Sequence, residues 1–207
     1  PTLDAATLTI AADHTASIDS DATLHLQHNA SLINNGTLTT AHDFTLDANA
    51  TAGAFKNVGT LTITAGTTTL ANDLTFQNPG TVDVQANALL LLAAAQDPLT
   101  TGTFTVEMDG TLQLAASYDF STPAGPTLTG AGLVIIDPGT TLTLAVDTPF
   151  TGTIQVDGTL FLAAPRNPDN PDAQPLFTIV SPATPIPEPG SLLLLTIAAP
   201  LLARRRR

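Results

Sequence analysis

A short sequence pattern recurs along most of the chain at intervals of about twenty residues. Its copies begin at Ala6, Ala22, Gly36, Gly59, Gly80, Gly102, Gly132 and Gly152. Successive copies start 16, 14, 23, 21, 22, 30 and 20 residues apart, so the unit tolerates insertions at its junctions. One unit of this size is too short to bury a core by itself, so the units must stack on one another.

Each copy contains two short stretches in which apolar residues alternate with threonine or another polar residue. In GTLTIT, Leu61 and Ile63 alternate with Thr60, Thr62 and Thr64. This period of two predicts half-buried strands whose Leu and Ile side chains face a core. Threonine suits the outer positions because its branched Cβ favours extended backbone and its hydroxyl tolerates water.

Turn-forming residues separate these strands. They occur at Asn35-Gly36, Asn78-Pro79-Gly80, Asp109-Gly110, Asp137-Pro138-Gly139 and Asp157-Gly158. We therefore predict an all-β chain folded as a single-stranded parallel β-helix, or β-solenoid. One interior row is predicted to contain Leu38, Leu61, Val82 and Leu112. A β-sandwich is the alternative, because Asn-Gly and Asp-Gly also form hairpin turns. The repeat pattern resembles the β-helical repeats of bacterial adhesins and surface proteins.

Two segments fit the repeat less clearly. The stretch NALLLLAAA, residues 87–95, is compatible with a buried strand or with one short helical turn. The stretch SYDFSTPAG around Tyr118 is predicted to be a loop between repeats.

Charge is distributed very unevenly along the chain. Of its six basic residues, four are Arg204 to Arg207 at the C-terminus, and the other two are Lys56 and Arg166. The acidic remainder repels phosphate backbones, which excludes nucleic-acid binding, and it favours solubility outside the cell. The chain has no cysteine, so neither disulfides nor thiol chemistry contribute.

The composition changes after residue 163. Residues 164–186 are rich in proline, which predicts an extended linker that holds the solenoid domain, residues 1–163, away from a membrane. Within this linker, PLFTIVS is a candidate last strand that covers the open edge of the stack. Residues 187–207 form a third segment with a different character.

This third segment contains three features in order. Pro187, Glu188 and Pro189 come first, the uncharged apolar run 191–203 follows, and Arg204, Arg205, Arg206 and Arg207 end the chain. As a helix the apolar run would span about 20 Å, which is short of the roughly 30 Å hydrocarbon core of a bilayer. The arginines favour a cytoplasmic C-terminus and an exported body.

The tail resembles the PEP-CTERM sorting signal of Gram-negative bacteria, with Pro187, Glu188 and Pro189 matching the tripeptide that gives the signal its name. The resemblance implies recognition by an exosortase, a membrane-embedded cysteine protease that removes the tail. It also implies that the protein is exported, is anchored transiently in the inner membrane and then reaches the cell surface or extracellular matrix. The apolar run is shorter than the family pattern.

Candidate sites for metals are sparse. If neighbouring coils stack in register, His28 and His42 could share a metal ion, while His14 falls at a different offset in its own repeat. Turn aspartates could bind calcium through their oxygens. These are Asp109, Asp137 and Asp157. Because aspartate also tolerates the backbone shape of turns, we assign no metal site and no cofactor.

No catalytic group can be assembled from the sequence. Glu107 and Glu188 are the two glutamates, and neither sits in a glycosidase motif. A lyase would need a basic residue, yet Lys56 and Arg166 lie near opposite ends of the body. The absence of tryptophan disfavours a dedicated sugar-binding module, although contact with an extracellular polysaccharide along polar rows remains open.

The sequence thus predicts a non-enzymatic, secreted or surface-displayed structural or adhesive protein. The alternative is the C-terminal, non-catalytic part of a larger carbohydrate-active β-helix enzyme.

Overall fold

The computed structural model describes residues 1–49, 52–167 and 169–181. Within them the strands form a β-solenoid of about eight turns, and every strand pairing is parallel. The predicted β-helix is therefore confirmed, and the β-sandwich alternative is wrong because antiparallel hairpins do not connect the strands. The described residues include only part of the predicted linker, 164–186, and the predicted sorting helix lies outside them.

Four parallel sheets contain the strands. Sheet 1 consists of β1 (Thr2–Asp4), β4 (Ala22–Gln27), β7 (Phe44–Asp47), β10 (Gly66–Leu70), β13 (Ala88–Leu92), β15 (Thr111–Leu114), β18 (Leu133–Ile136), β20 (Thr153–Val156) and β22 (Thr178–Val180). Sheet 2 consists of β2 (Thr7–Ile10), β5 (Ala30–Asn34), β8 (Gly53–Asn57) and β11 (Leu74–Gln77). Sheet 3 consists of β3 (Thr15–Ile18), β6 (Thr37–Thr40), β9 (Thr60–Ile63), β12 (Thr81–Val84), β14 (Thr103–Val106) and β17 (Thr127–Gly130). Sheet 4 consists of β16 (Tyr118–Phe120), β19 (Thr141–Ala145) and β21 (Thr159–Ala163).

Each full turn of the solenoid visits three faces. The chain passes from sheet 1 to sheet 2 and then to sheet 3, and in the later turns sheet 4 follows sheet 1 instead of sheet 2. Sheets 2 and 4 are joined through Gln96, which forms a parallel bridge with Phe76. The Gln96 side chain donates to the carbonyl of Asp119 at 3.2 Å and accepts from its N–H at 2.6 Å. An amide side chain therefore continues the ladder where a strand is missing.

The alternation read from the sequence produces the core. Leu61 and Ile63 are buried in β9, while Thr60, Thr62 and Thr64 are partly exposed, as predicted. NALLLLAAA contains the strand β13 rather than a helical turn. PLFTIVS contains β22, which pairs with β20 as predicted.

One part of the predicted interior row is wrong. Leu38, Leu61 and Val82 are stacked in sheet 3, but the next member is Phe104. Leu112 lies in sheet 1, between Leu90 and Val134. The copy that begins at Gly102 turns a corner at Asp109-Gly110, so its second strand belongs to another face of the solenoid.

The glycine that begins several copies stands at the corner before sheet 3, where successive turns touch. A Cβ atom on Gly102 would lie 1.9 Å from the carbonyl oxygen of Gly80. That oxygen accepts a hydrogen bond from the N–H of Thr103 at 2.9 Å, so it cannot move away without loss of the bond. The recurring glycine is therefore required by the close stacking of backbones.

We expect Gly102→Ala to lower the free energy of unfolding by about 3 kcal/mol, because the added methyl group must displace backbone of the preceding turn. Urea denaturation followed by circular dichroism measures the change. Thr101→Ala, at the adjacent exposed position, is the control and should change stability by less than about 0.5 kcal/mol. Equal stability of Gly102→Ala and wild type would contradict the close approach.

Candidate functional site

The residues of the predicted sorting signal lie outside the described residues. They are Pro187, Glu188, Pro189, Arg204, Arg205, Arg206 and Arg207. The part of the chain that the structure describes contains no helix long and apolar enough to cross a membrane. The tail assignment therefore stays a prediction.

The structure separates the histidines that the sequence grouped. His28 follows β4 and its Nδ1 lies 2.6 Å from Asp4, whereas His42 precedes β7 at another corner, 3.8 Å from Asp21. The hypothesis of a metal ion shared by His28 and His42 is therefore wrong. His25, which sequence reasoning overlooked, pairs with Asp47 at 2.6 Å across neighbouring strands of sheet 1.

The turn aspartates Asp109, Asp137 and Asp157 stabilise the corners between strands. Both carboxylate oxygens of Asp137 accept from the Gln113 side chain, at 2.9 and 3.0 Å, and Asp157 accepts from Gln155 at 2.9 Å. Asp109 has a φ of 66°, a left-handed conformation that aspartate tolerates better than most residues. Among residues 1–49, 52–167 and 169–181, no three acidic or histidine side chains come together as a metal site.

Arg166 has a structural position. It donates to the backbone carbonyls of Phe120 and Pro126 and, at 3.2 Å, to the hydroxyl of Thr127. It thereby fastens the segment after β21 to the sixth turn. Its own N–H donates to Asp147 at 2.8 Å. Lys56 lies on the exposed face of β8, far along the chain from this network.

Burial and charge act on the Arg166 network. Burial lowers the pKa of the Arg166 guanidinium, and the negative charges of Asp147 and Asp119 partly offset this effect. For Asp147, burial opposes ionisation, but the N–H groups of Arg166 and Asn167 outweigh it, so the pKa of the carboxyl lies below its usual value. The backbone N–H groups thus favour the charged form of Asp147, whereas burial acts against the charge of Arg166.

The Tyr118 region is not the loop that the sequence predicted. Tyr118 is buried in β16, its hydroxyl donates to the carbonyl of Ala94 at 2.9 Å, and burial raises the pKa of the phenol. Its ring packs near Phe104 and Phe120, with centroids 6.3 and 6.0 Å away. Tyr118 is therefore a core residue and does not offer a sugar-stacking surface.

An apolar recess of about 400 Å³ opens at the end of the core near the first turn. Its wall includes Leu8, Ile10, Leu32 and Phe44. Leu8 is 48% exposed although it aligns with the buried Leu32 of the next turn. The recess is the uncovered end of the stacked core rather than a pocket with converging polar groups.

The most regular surface is the outer face of sheet 3, which we call the threonine face. Its first rank consists of Thr15, Thr37, Thr60, Thr81, Thr103 and Thr127. Its second rank consists of Ser17, Thr39, Thr62, Asp83, Thr105 and Thr129. Each member is paired one-to-one with the next along the stack. The sequence displays the Thr-x-Thr pairs but not their alignment.

The other outer faces are mixed. Sheet 1 presents His25, Leu91 and Ile135, and sheet 2 presents Ile33 and Lys56. The predominance of threonine is therefore a property of sheet 3 and does not follow from a general preference of exposed strands.

A scan of protein-family models, a search of curated proteins and a search of solved structures found no match to this chain.

Proposed function

We propose that this chain is a non-enzymatic structural or adhesive protein that is displayed on a bacterial cell surface or in the extracellular matrix. The observation that carries the proposal is the order of features in the last 21 residues. Pro187, Glu188 and Pro189 precede an uncharged apolar run, and four arginines end the chain. In this order, a processing motif is presented on the outer side while the arginines stay in the cytoplasm.

The proposed delivery has two steps. The apolar run pauses in the inner membrane, where its shortness makes a transient stop more suitable than a permanent anchor. An exosortase-type cysteine protease then recognises Pro187, Glu188 and Pro189 and removes the tail. The solenoid, which is acidic, is released to the surface or matrix, where it remains soluble and is open to contact with extracellular polysaccharide.

The bonding of the body supports a structural role. Asn34 donates to Asn57 and Asn57 donates to Asn78, each at 2.7 Å, so these buried amides connect successive turns. Arg166 is engaged by backbone carbonyls. These polar groups already bond one turn of the solenoid to the next. They therefore stabilise the stack and are not available to activate a substrate.

We expect Glu188→Ala to leave membrane insertion intact and to block removal of the tail, since the change alters the motif but not the apolar run. Replacement of Arg204 to Arg207 with serine should instead loosen the topology, because the charges that resist translocation are gone. Mass spectrometry of the exported protein, from a host with the sorting enzyme and from the same host without it, measures both effects.

Glu107→Ala is the matched control, since Glu107 is the other glutamate and is exposed in a turn of the body. This variant should be processed as wild type. Recovery of mature extracellular wild-type protein that still carries the arginines would refute the sorting proposal.

A further inference from the structure

The threonine face is a two-dimensional array of like groups. Its register continues from β3 to β17 with one residue opposite one residue, and none of the pairings contains a bulge. Neighbours along each rank are about 4.8 Å apart, and the two ranks are separated by two residues of a strand, about 6.6 Å. The distance along a rank lies close to the shorter repeat of oxygen atoms on the prism plane of hexagonal ice, and the distance between ranks is somewhat below the longer repeat.

The array is held rigidly. Every strand of sheet 3 is bonded to neighbours through its backbone, and in each strand after β3 the residue between the ranks is buried, including Leu61, Val82 and Phe104. Threonine has restricted freedom about χ1, so its methyl and hydroxyl groups keep a defined orientation on a strand. Little conformational entropy would be lost when this face meets another ordered surface.

Most hydroxyls of the array remain available for outside contacts. In the described part of the chain, the hydroxyls of Thr105 and Thr129 bond to each other at 3.1 Å, and Thr127 accepts from Arg166 at 3.2 Å. Thr129 also approaches the carbonyl of Phe104 at 3.5 Å. The other threonine hydroxyls of the face have no protein partner among the described residues, and their alternating methyl groups make the same surface partly apolar.

The charge of the threonine face differs from that of the whole chain. The chain has a formal net charge of −12, yet Asp83 is the single ionisable member of the two ranks. A face with a single ionisable side chain gives a charged partner little electrostatic attraction, and the ranks contain no aromatic ring on which a sugar could stack.

We propose that the threonine face binds the surface of ice. The hydroxyls hold water molecules near the spacing of the lattice along each rank, and the methyl groups between them order the same water layer. Asp83 interrupts the second rank, because a carboxylate holds its hydration shell more strongly than a hydroxyl does. This activity belongs to the folded solenoid and is independent of the tail processing proposed above.

The test uses the full chain and ice itself. The double variant Thr60→Lys with Thr103→Lys places two long charged side chains on one rank, on either side of Thr81. We expect it to reduce the fraction of protein incorporated into slowly grown polycrystalline ice by about tenfold and to abolish inhibition of ice recrystallisation. Asp83→Thr, which completes the second rank, should increase both signals.

The matched control is Thr67→Lys with Thr69→Lys, a Thr-x-Thr pair at partly exposed positions of β10 in sheet 1. It should keep wild-type ice incorporation, and circular dichroism should show folded protein for all variants. The proposal is overturned if wild type enters ice no more than serum albumin, or if both double variants lose incorporation equally. It is also overturned if wild type ignores ice but binds insoluble cellulose through Thr60 and Thr103.

Discussion

Replacing Asn57 with leucine should lower the free energy of unfolding by about 4 kcal/mol, because the change removes all three hydrogen bonds of a fully buried side chain. Asn57 accepts from Asn34 at 2.7 Å and donates to Asn78 at 2.7 Å and to the carbonyl of Thr81 at 2.8 Å. All three asparagines are fully buried, so the partners left behind cannot turn to water. Urea denaturation followed by circular dichroism gives the loss.

The asparagine ladder, Asn34, Asn57 and Asn78, has three members because the aligned residues in the turns before and after it are not asparagines. Ile10 is the residue aligned with Asn34 in the preceding turn, and it offers no amide, so Oδ1 of Asn34 is buried without a partner among the described residues. At the other end, the Asn78 side chain donates to the carbonyl of Thr103 at 3.5 Å instead of to a fourth amide, and the Thr100 hydroxyl accepts from the backbone N–H of Asn78 at 3.3 Å.

Asn35→Leu is the control for the ladder, because Asn35 is exposed at the corner beside Asn34. It should change the free energy of unfolding by less than about 0.5 kcal/mol. If Asn57→Leu proves as mild as Asn35→Leu, the ladder does not stabilise the stack.

Truncation of Phe104 to alanine should cost about 4 kcal/mol, since it opens a cavity where several turns meet. The Phe104 ring is 1% exposed, and its centroid lies 5.4 Å from that of Phe120 and 6.5 Å from that of Phe76. The edge-on geometry adds to the area buried by the ring. The same denaturation assay measures the loss, and near-ultraviolet circular dichroism reports on the nearby Tyr118.

Phe161→Ala is the matched control for the aromatic cluster, because Phe161 is 60% exposed on β21. Its loss should be several times smaller than that of Phe104→Ala. A comparable loss for the two variants would show that aromatic packing inside the solenoid is not what holds the turns together.

The Tyr118 segment shows why the sequence misplaced one core strand. SYDFSTPAG contains proline and glycine, which predict a loop, but Pro123 and Gly125 follow β16 rather than interrupt it. The strand is stabilised by Phe104 and by the side chain of Gln96, both of which come from earlier turns. Neither contact can be predicted from the residues that neighbour Tyr118 in the sequence.

The sequence of a repeat does not indicate which sheet of the solenoid its strands belong to. The copies at Gly102 and Gly152 are closely similar, yet the first strand of one is β14 in sheet 3 and that of the other is β20 in sheet 1. Strands on every face of the solenoid have the same alternation of apolar and polar residues after a corner. Similar copies therefore identify strands without identifying faces, and for this reason the sequence predicts Leu112 in the interior row of sheet 3 although it lies in sheet 1.

The properties that depend on near neighbours along the chain follow from the amino-acid order alone. Alternation produced the half-buried strands, glycine and asparagine produced the corners, and the lack of helical periodicity in the body made the fold all-β. Which side chains become neighbours across turns depends instead on how the turns stack. The pairing offsets along sheet 3 are 23, 21, 22 and 24 residues from Thr37 to Thr127, because corner lengths vary from turn to turn. The asparagine ladder and the threonine face depend on that register, which backbone pairing sets and no single repeat contains.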